Sequence, residues 1–390
     1  MLRRTMLTLL FLVSALAVVA FVSVAARVVG RPHAIDPVEV AVLEGAERLV
    51  HGDPLYVAPA SADVPSLMPG YPFAVSLLVR AFGPGLWEPR ALALVATLLI
   101  ALMVLAIIRM ETESWTLAAA GVGFLLLGYG LLAEPPAVAR PETLMLLLVL
   151  LGFFVLRVTN GVLGVLLSAL LFAAAFFTDL TAVWFVAAAF FALVIDEHKR
   201  LITFTLVIGV LIGGGYVALS QLMGPWFNFN AWDHPLTALR FSVLRPLHYV
   251  GDHLLGKLGV LSLAAVLSFA MPTQPWRGKG GLWMCMGIAA LVGGLLSTQS
   301  SAFGPQSLIA SVVVLALVGP ISMQRVTRHL AAWPGSSRLG GQGVVLAALT
   351  LQFIVFLACL SPSRWLSGVL SVRPDPPSIS APHAPHLPRA

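Results

Sequence analysis

The sequence predicts an all-α, polytopic transmembrane helix bundle of about eleven spans. Three observations predict it: the composition, the length of the apolar runs, and the placement of the cations between them. Of the 390 residues, 59% are hydrophobic and only 10% charged, and the mean hydropathy is +0.94. A soluble domain carries about 25% charged residues. A chain this apolar cannot cover a globule with polar surface. It can dissolve in lipid as helices of roughly 20 residues, whose backbone groups bond internally. Aqueous dehydrogenase, nuclease and soluble-kinase classes are thereby excluded. The 23 Lys and Arg give a net charge of +6, but they are scattered between apolar runs and form no nucleic-acid-binding stripe. Cys285 and Cys359 lie inside apolar runs, so no disulfide framework is implied.

The spans are expected at about 6–26, 90–109, 116–133, 143–157, 161–177, 180–196, 201–221, 255–272, 281–298, 306–322 and 342–360, with ends uncertain by about 2–4 residues. Arg3 and Arg4 precede the first run, and Ser23-Val24-Ala25-Ala26 resembles a small-residue cleavage site. The run is longer than a signal-peptide core of about 7–15 residues, so an uncleaved first span is expected. With the N-terminus inside, Arg109, Arg157, Lys199, Arg200, Arg325 and Arg328 all fall on short cytoplasmic turns. The positive-inside rule supports that orientation. It places segments 27–89 and 222–254 and the tail 361–390 outside. The tail is rich in Pro, Ser and His and is expected to be disordered. Residues 1–360 then form one multi-pass domain.

The first outer segment is the most informative. Asp36 occupies an N-cap position, Pro37 the first helical position and Glu39 the third; Val42, Ala46, Leu49 and Val50 follow at helical spacing, and Gly52 stands where the helix should end. The acids have two readings. They form an acidic capping box, or they face a polar cavity where one accepts a proton and the positive helix end helps hold phosphate. Residues 73–82 are too short to cross a bilayer and carry Arg80, so an interfacial or re-entrant helix is expected. Tyr71, Phe73 and Trp87 suit an interfacial aromatic belt.

The ordered series is Asp36 and Glu39, then Gly52-Asp53-Pro54-Leu55-Tyr56, Tyr71-Pro72-Phe73, Gly83-Pro84-Gly85-Leu86-Trp87-Glu88-Pro89-Arg90, and Ala139-Arg140-Pro141-Glu142. Over roughly residues 1–200 it resembles the bacterial GT-C glycosyltransferases, polytopic enzymes related to protein mannosyltransferases and lipid A aminoarabinose transferases. The resemblance implies an acidic catalytic residue after the first span, a Tyr-Pro segment, an Arg opening the second span and a second outer acid. On this sequence those are Asp36 (or Glu39), Tyr71, Arg90 and Glu142. Three places depart from the pattern. Phe73 replaces a second Pro, Phe177-Thr178-Asp179-Leu180 replaces a Lys-Gln pair, and Ser300 to Gln306 lacks an Asn-Tyr and an acid.

The implied reaction moves a sugar from a polyprenyl-phosphate-linked donor to a lipid, glycan or protein acceptor. Such a donor arrives activated, so no nucleotide pocket is needed, and neither a P-loop nor a dinucleotide fingerprint occurs. Direct displacement inverts the anomeric centre, with Asp36 first and Glu39 second as base. Tyr71, Arg90, Arg140, Glu142 and Asp179 are the candidates for substrate binding. Each has a plainer reading beside it. Arg140 holds lipid phosphate or pairs with Glu134 or Glu142; Glu142 complements the start of its span; Asp179 caps the sixth span. Arg90 opposes its helix dipole, which favours a functional role. No cofactor is assigned from the sequence, a divalent metal ion being the one option. His248, Asp252 and His253 have nearly workable spacing for it, though an ordinary solvated loop fits them too. The rival readings are a transporter or flippase and an inactive scaffold of the same fold. Proton-coupled transporters place carboxylates in mid-span, and the apolar cores here lack them.

Overall fold

A computed structural model describes residues 2–58, 67–131, 138–196, 198–237, 241–242, 244–270, 281–299, 309–331 and 338–359. These residues are helical and contain no strand. In chain order the helices are α1 (Leu2–Val29), α2 (Pro37–His51), α3 (Gly70–Phe82), α4 (Trp87–Thr112), α5 (Trp115–Leu131), α6 (Pro141–Val158), α7 (Val162–Thr178), α8 (Ala182–Asp196), α9 (His198–Gly209), α10 (Gly215–Met223), α11 (Pro225–Asn228), α12 (His234–Thr237), α13 (Leu244–Tyr249), α14 (Gly259–Ala270), α15 (Gly281–Ser297), α16 (Ile309–Ala331) and α17 (Arg338–Cys359). Single π-helical turns at Val210–Gly214, Phe229–Asp233 and Val250–Leu255 join some of them.

Within the described residues, each apolar run expected to span is largely helical. Five stretches are long and apolar enough to cross a membrane: Thr8–Val29, Trp87–Thr112, Pro141–Val158, Lys199–Met223 and Ile309–Val326. Trp115–Tyr129, Val162–Thr178, Ala182–Ile195, Gly281–Ser297 and Ala347–Phe356 are apolar but shorter, a length that tilt or burial within the bundle accommodates. Several hydroxyl side chains inside these helices bond to the backbone of their own helix. The Ser14, Thr97 and Thr112 hydroxyls donate to the carbonyls of Leu10, Ala93 and Ile108 at 2.8, 2.9 and 2.6 Å, so these three donors are satisfied within their own helices.

Aromatic rings fill the middle of the bundle. Phe124 of α5 stacks on Phe353 of α17 with centroids 4.4 Å apart, while Phe172 of α7 meets Phe153 of α6 edge-on at 5.2 Å. Buried amides hold the irregular parts. Gln352 of α17 is fully buried; its Oε1 accepts from the amides of Val260 and Leu261 at 3.1 and 3.3 Å, and its Nε2 donates to Lys257 O at 2.7 Å. It thus caps the start of α14. Gln299 grips Ser242 through both backbone groups, at 2.7 and 3.0 Å.

Two parts of the outer region differ in detail from expectation. α3 forms where a short interfacial or re-entrant helix was expected, but Tyr71 is fully buried while Phe73 and Trp87 are exposed. Tyr71 therefore does not belong to an interfacial belt. Residues 225–237 and 244–255, expected as a solvated loop, form helical turns. They run mostly as short α and π turns, starting at Pro225 after a break at Gly224. The reason is aromatic packing: Phe227 is buried against Tyr56 and Tyr216, centroids 5.5 and 5.2 Å away. The Pro-rich tail and Ser300 to Gln306 lie outside the described residues.

Candidate active site

The site is built on the first turn of α2. Pro37 cannot donate and has a fixed φ, so the chain enters the helix through an extended Asp36 (φ −134, ψ 140). Asp36 Oδ1 accepts from the Val38 amide at 2.8 Å, which is the expected N-cap. Glu39 reaches back at 2.9 Å to the amide of Ile35, one residue earlier than a capping box requires. Gly52 closes the helix at φ 80 with its amide on Arg48 O, a left-handed conformation open to glycine at little cost.

Glu39 and Arg90 form a fully buried ion pair. Arg90 Nε donates to Glu39 Oε1 at 3.0 Å and Nη2 to Oε2 at 2.7 Å. The rest of the guanidinium is occupied as well. Nη1 donates to the carbonyls of Val28 and Arg31, and Nη2 to that of His33. Arg90 thereby fixes the segment linking α1 to α2. Burial pushes the Glu39 carboxyl up. The Arg90 hydrogen bonds, the Ile35 and Ala139 amides and the Arg90 charge outweigh it and hold the group below its ordinary 4.5.

The turn before α6 docks onto the same two acids. The Ala139 amide donates to Glu39 Oε1 at 3.1 Å, and Arg140 Nη2 donates to Asp36 Oδ2 in an ion pair whose side chains are 10% and 17% exposed. Consecutive residues of one turn are therefore held by the two acids of one helical turn. Arg140 was expected to pair with Glu134, Glu142 or a ligand phosphate; Asp36 is one partner it has here, and Glu134 lies outside the described residues.

Tyr71 lies beneath this cluster, its hydroxyl donating to Pro89 O at 2.9 Å. Burial pushes its phenol well above the ordinary value, and the charges of Glu142 and Glu39 add to the effect. The residue before it makes a close approach. A Cβ on Gly70 would lie 2.6 Å from the Phe177 carbonyl oxygen, so the start of α3 rests directly on the end of α7. That brings Tyr71 to the turn carrying Asp179. Asp179 Oδ1 accepts from the Thr181 amide at 2.8 Å and from its hydroxyl, capping α8. Burial raises its carboxyl despite those bonds. Glu142, half-buried, shares with Thr181 and Ser297 the wall of a cavity of about 30 Å³ between α6, α8, α15 and α16, room for one or two waters.

The structure thus assembles Asp36, Glu39, Tyr71, Arg90 and Arg140 into one cluster, with Glu142 and Asp179 on its flank. Among the described residues no group of three His, Cys, Asp or Glu is placed to hold a metal ion. His248 Nε2 and Asp252 Oδ2 pair at 2.9 Å on an exposed helical surface, and the His253 side chain lies outside the described residues. The sequence did not point to Thr181 or to the Ala139 amide. Thr181 sits in the N2 position after Asp179, a signal that a cap search finds.

The all-helical bundle of the described residues has the GT-C fold. Two groups of solved structures share it. ArnT from Cupriavidus metallidurans bound to undecaprenyl phosphate is 15% identical, with a TM-score of 0.59 over 91% of this chain and 77% of that one; its apo form gives 0.62. The Archaeoglobus fulgidus oligosaccharyltransferase tethered with an acceptor peptide is 11% identical, with a TM-score of 0.57 over 92% of this chain. The chain spans little more than half of that enzyme, 55%. No family model and no curated protein matches the sequence.

Proposed function

We propose that the chain is an integral membrane glycosyltransferase that moves a sugar from a polyprenyl-phosphate-linked donor to an acceptor hydroxyl, with inversion. The observation that carries this reading is the Asp36–Arg140 pair at the start of α2, within a fold shared with ArnT bound to undecaprenyl phosphate. A carboxylate and a guanidinium in contact are what the transfer needs. The acceptor oxygen attacks the anomeric carbon, its proton passes to Asp36, and the bond to the phosphate oxygen breaks. Arg140, after exchanging Asp36 for the incoming phosphate, neutralises the leaving group and frees the carboxylate to act as base. Glu39 and Arg90 are assigned as positioning residues, because both are enclosed and fully engaged with each other and with the backbone. Glu142 and Asp179 are assigned to the sugar side, Tyr71 to the floor. Eleven spans, with the N-terminus cytoplasmic, place this site on the outer face and make residues 1–360 a single domain.

The test uses purified full-length protein, labelled polyprenyl-phosphate sugars and extracted membrane acceptors. Asp36→Asn retains an N-cap oxygen and removes the base. Transfer is expected to fall roughly 10²–10⁴-fold while the variant stays folded and retains donor. Transfer by Asp36→Asn at the wild-type rate defeats the assignment of the base. No transfer by wild type to any acceptor favours the scaffold or transporter reading.

A further inference from the structure

At the end of the bundle opposite Asp36, one acid serves several helices. Glu111 Oε1, in the last turn of α4, accepts from Arg157 Nε of α6 at 2.6 Å and from Trp283 Nε1 of α15 at 3.0 Å. Next to it, Gln324 of α16 donates to Thr112 O at 2.7 Å. Arg325 follows Gln324 and is half-buried, yet its one hydrogen bond among the described residues goes to the Met284 thioether at 4.0 Å, a weak acceptor. The charges acting on it are Glu111, already shared by Arg157 and Trp283, and Arg328 one turn along.

Among the described residues no acid makes a salt bridge or hydrogen bond with Arg325. Segments 271–280 and 332–337, outside the described residues, have no Asp or Glu in their sequence and include Arg277 and Lys279. A partly desolvated guanidinium with five donors is stable when an anion meets it. Among the described residues the one acid acting on Arg325 is Glu111, already shared by Arg157 and Trp283, and the end of an apolar span is where a bilayer presents its phosphates.

We propose that Arg325, with Arg328 beside it, binds the phosphate of an anionic lipid headgroup at the bundle end opposite the Asp36 site. Guanidinium forks match a phosphate in a bidentate manner. The site is independent of the donor site and of the reaction assigned to it.

Full-length protein in neutral detergent is titrated with phosphatidylglycerol or phosphatidylcholine, and bound lipid is counted by native mass spectrometry. Wild type is expected to retain one phosphatidylglycerol at least tenfold more tightly than phosphatidylcholine. Arg328→Ala, at an exposed position, and Arg325→Gln, which keeps donors without the charge, should each lose most of that preference. Arg325→Lys should restore only part of it. Equal retention of the two lipids by wild type overturns the proposal, as does unchanged preference in both Arg328→Ala and Arg325→Gln. Complete displacement of the lipid by millimolar inorganic phosphate would mean a free-anion site and overturns the lipid assignment.

Discussion

Asp36 and Arg140 are 104 residues apart in sequence and bind each other directly, while their neighbours Glu39 and Ala139 make a second bond beside them. One turn of helix and one turn of loop are thus joined at two points. Only the Asp36–Arg140 contact is partly open to solvent.

Arg140→Ala removes the open contact without touching the buried one. Stability should change by about 1 kcal/mol or less, as for a partly exposed ion pair. Donor affinity, read by equilibrium binding of polyprenyl phosphate, should fall tenfold or more, with Arg140→Lys recovering part of it because a point charge lacks the guanidinium fork. Unchanged affinity in both variants removes Arg140 from the donor site.

Arg90→Ala tests the buried contact. It leaves Glu39 enclosed without its counter-ion and releases the carbonyls of Val28, Arg31 and His33. A loss of about 3–5 kcal/mol is expected, seen as a lowered unfolding temperature in detergent. Arg90→Lys should do little better. A wild-type melting curve for Arg90→Ala would mean the pair holds nothing together.

The same pair gives a pH dependence with a definite sign. Glu39 is held below 4.5 in the folded chain, so at low pH the unfolded state binds the extra proton first. Its contribution is present in full above about 4.5 and is lost as pH falls through the depressed folded value. Unfolding curves between pH 7 and pH 3 should show wild type losing more stability than Glu39→Gln over that acid range. Parallel acid limbs would contradict the assignment.

Gly70→Ala places a methyl group against the backbone of Phe177, not against a movable side chain. An overpacking cost of about 1–3 kcal/mol is expected, together with reduced activity as α3 shifts from the Asp179 turn. An alanine variant as stable and active as wild type would show that the two helices separate at no cost.

Orientation is tested by reporters active only outside the cytoplasm. A fusion after Ala390 should be active and one near Ser336 silent. A silent fusion after Ala390 would mean that the eleven-span count is wrong by an odd number.

The helices were legible because each apolar run is bounded by charge, Pro or Gly, and lipid leaves such a run no other structure. The α2 caps were legible for a local reason: Asp36, Pro37 and Gly52 act on residues within four positions. Partners were not. Nothing in the spacing of Arg90 or Arg140 shows that one closes on Glu39 and the other on Asp36, since both contacts depend on how α4 and α6 pack around α2. Arg90 was marked by its unfavourable place at a helix start, and the structure explains that place through Glu39. The helical turns within 225–237 and 244–255 escaped notice because they are short, and one of the rings packed on Phe227 is Tyr56, far upstream.

The Gln352 cap bears on how the chain is made. Its acceptor serves Leu261, 91 residues earlier, so α14 leaves the insertion machinery with its first amides unsatisfied. They stay so through the synthesis of α15 and α16 and are closed only when α17 arrives. The last helix is therefore a late keystone, and a chain that stops before it presents an unfinished helix start for quality control to recognise.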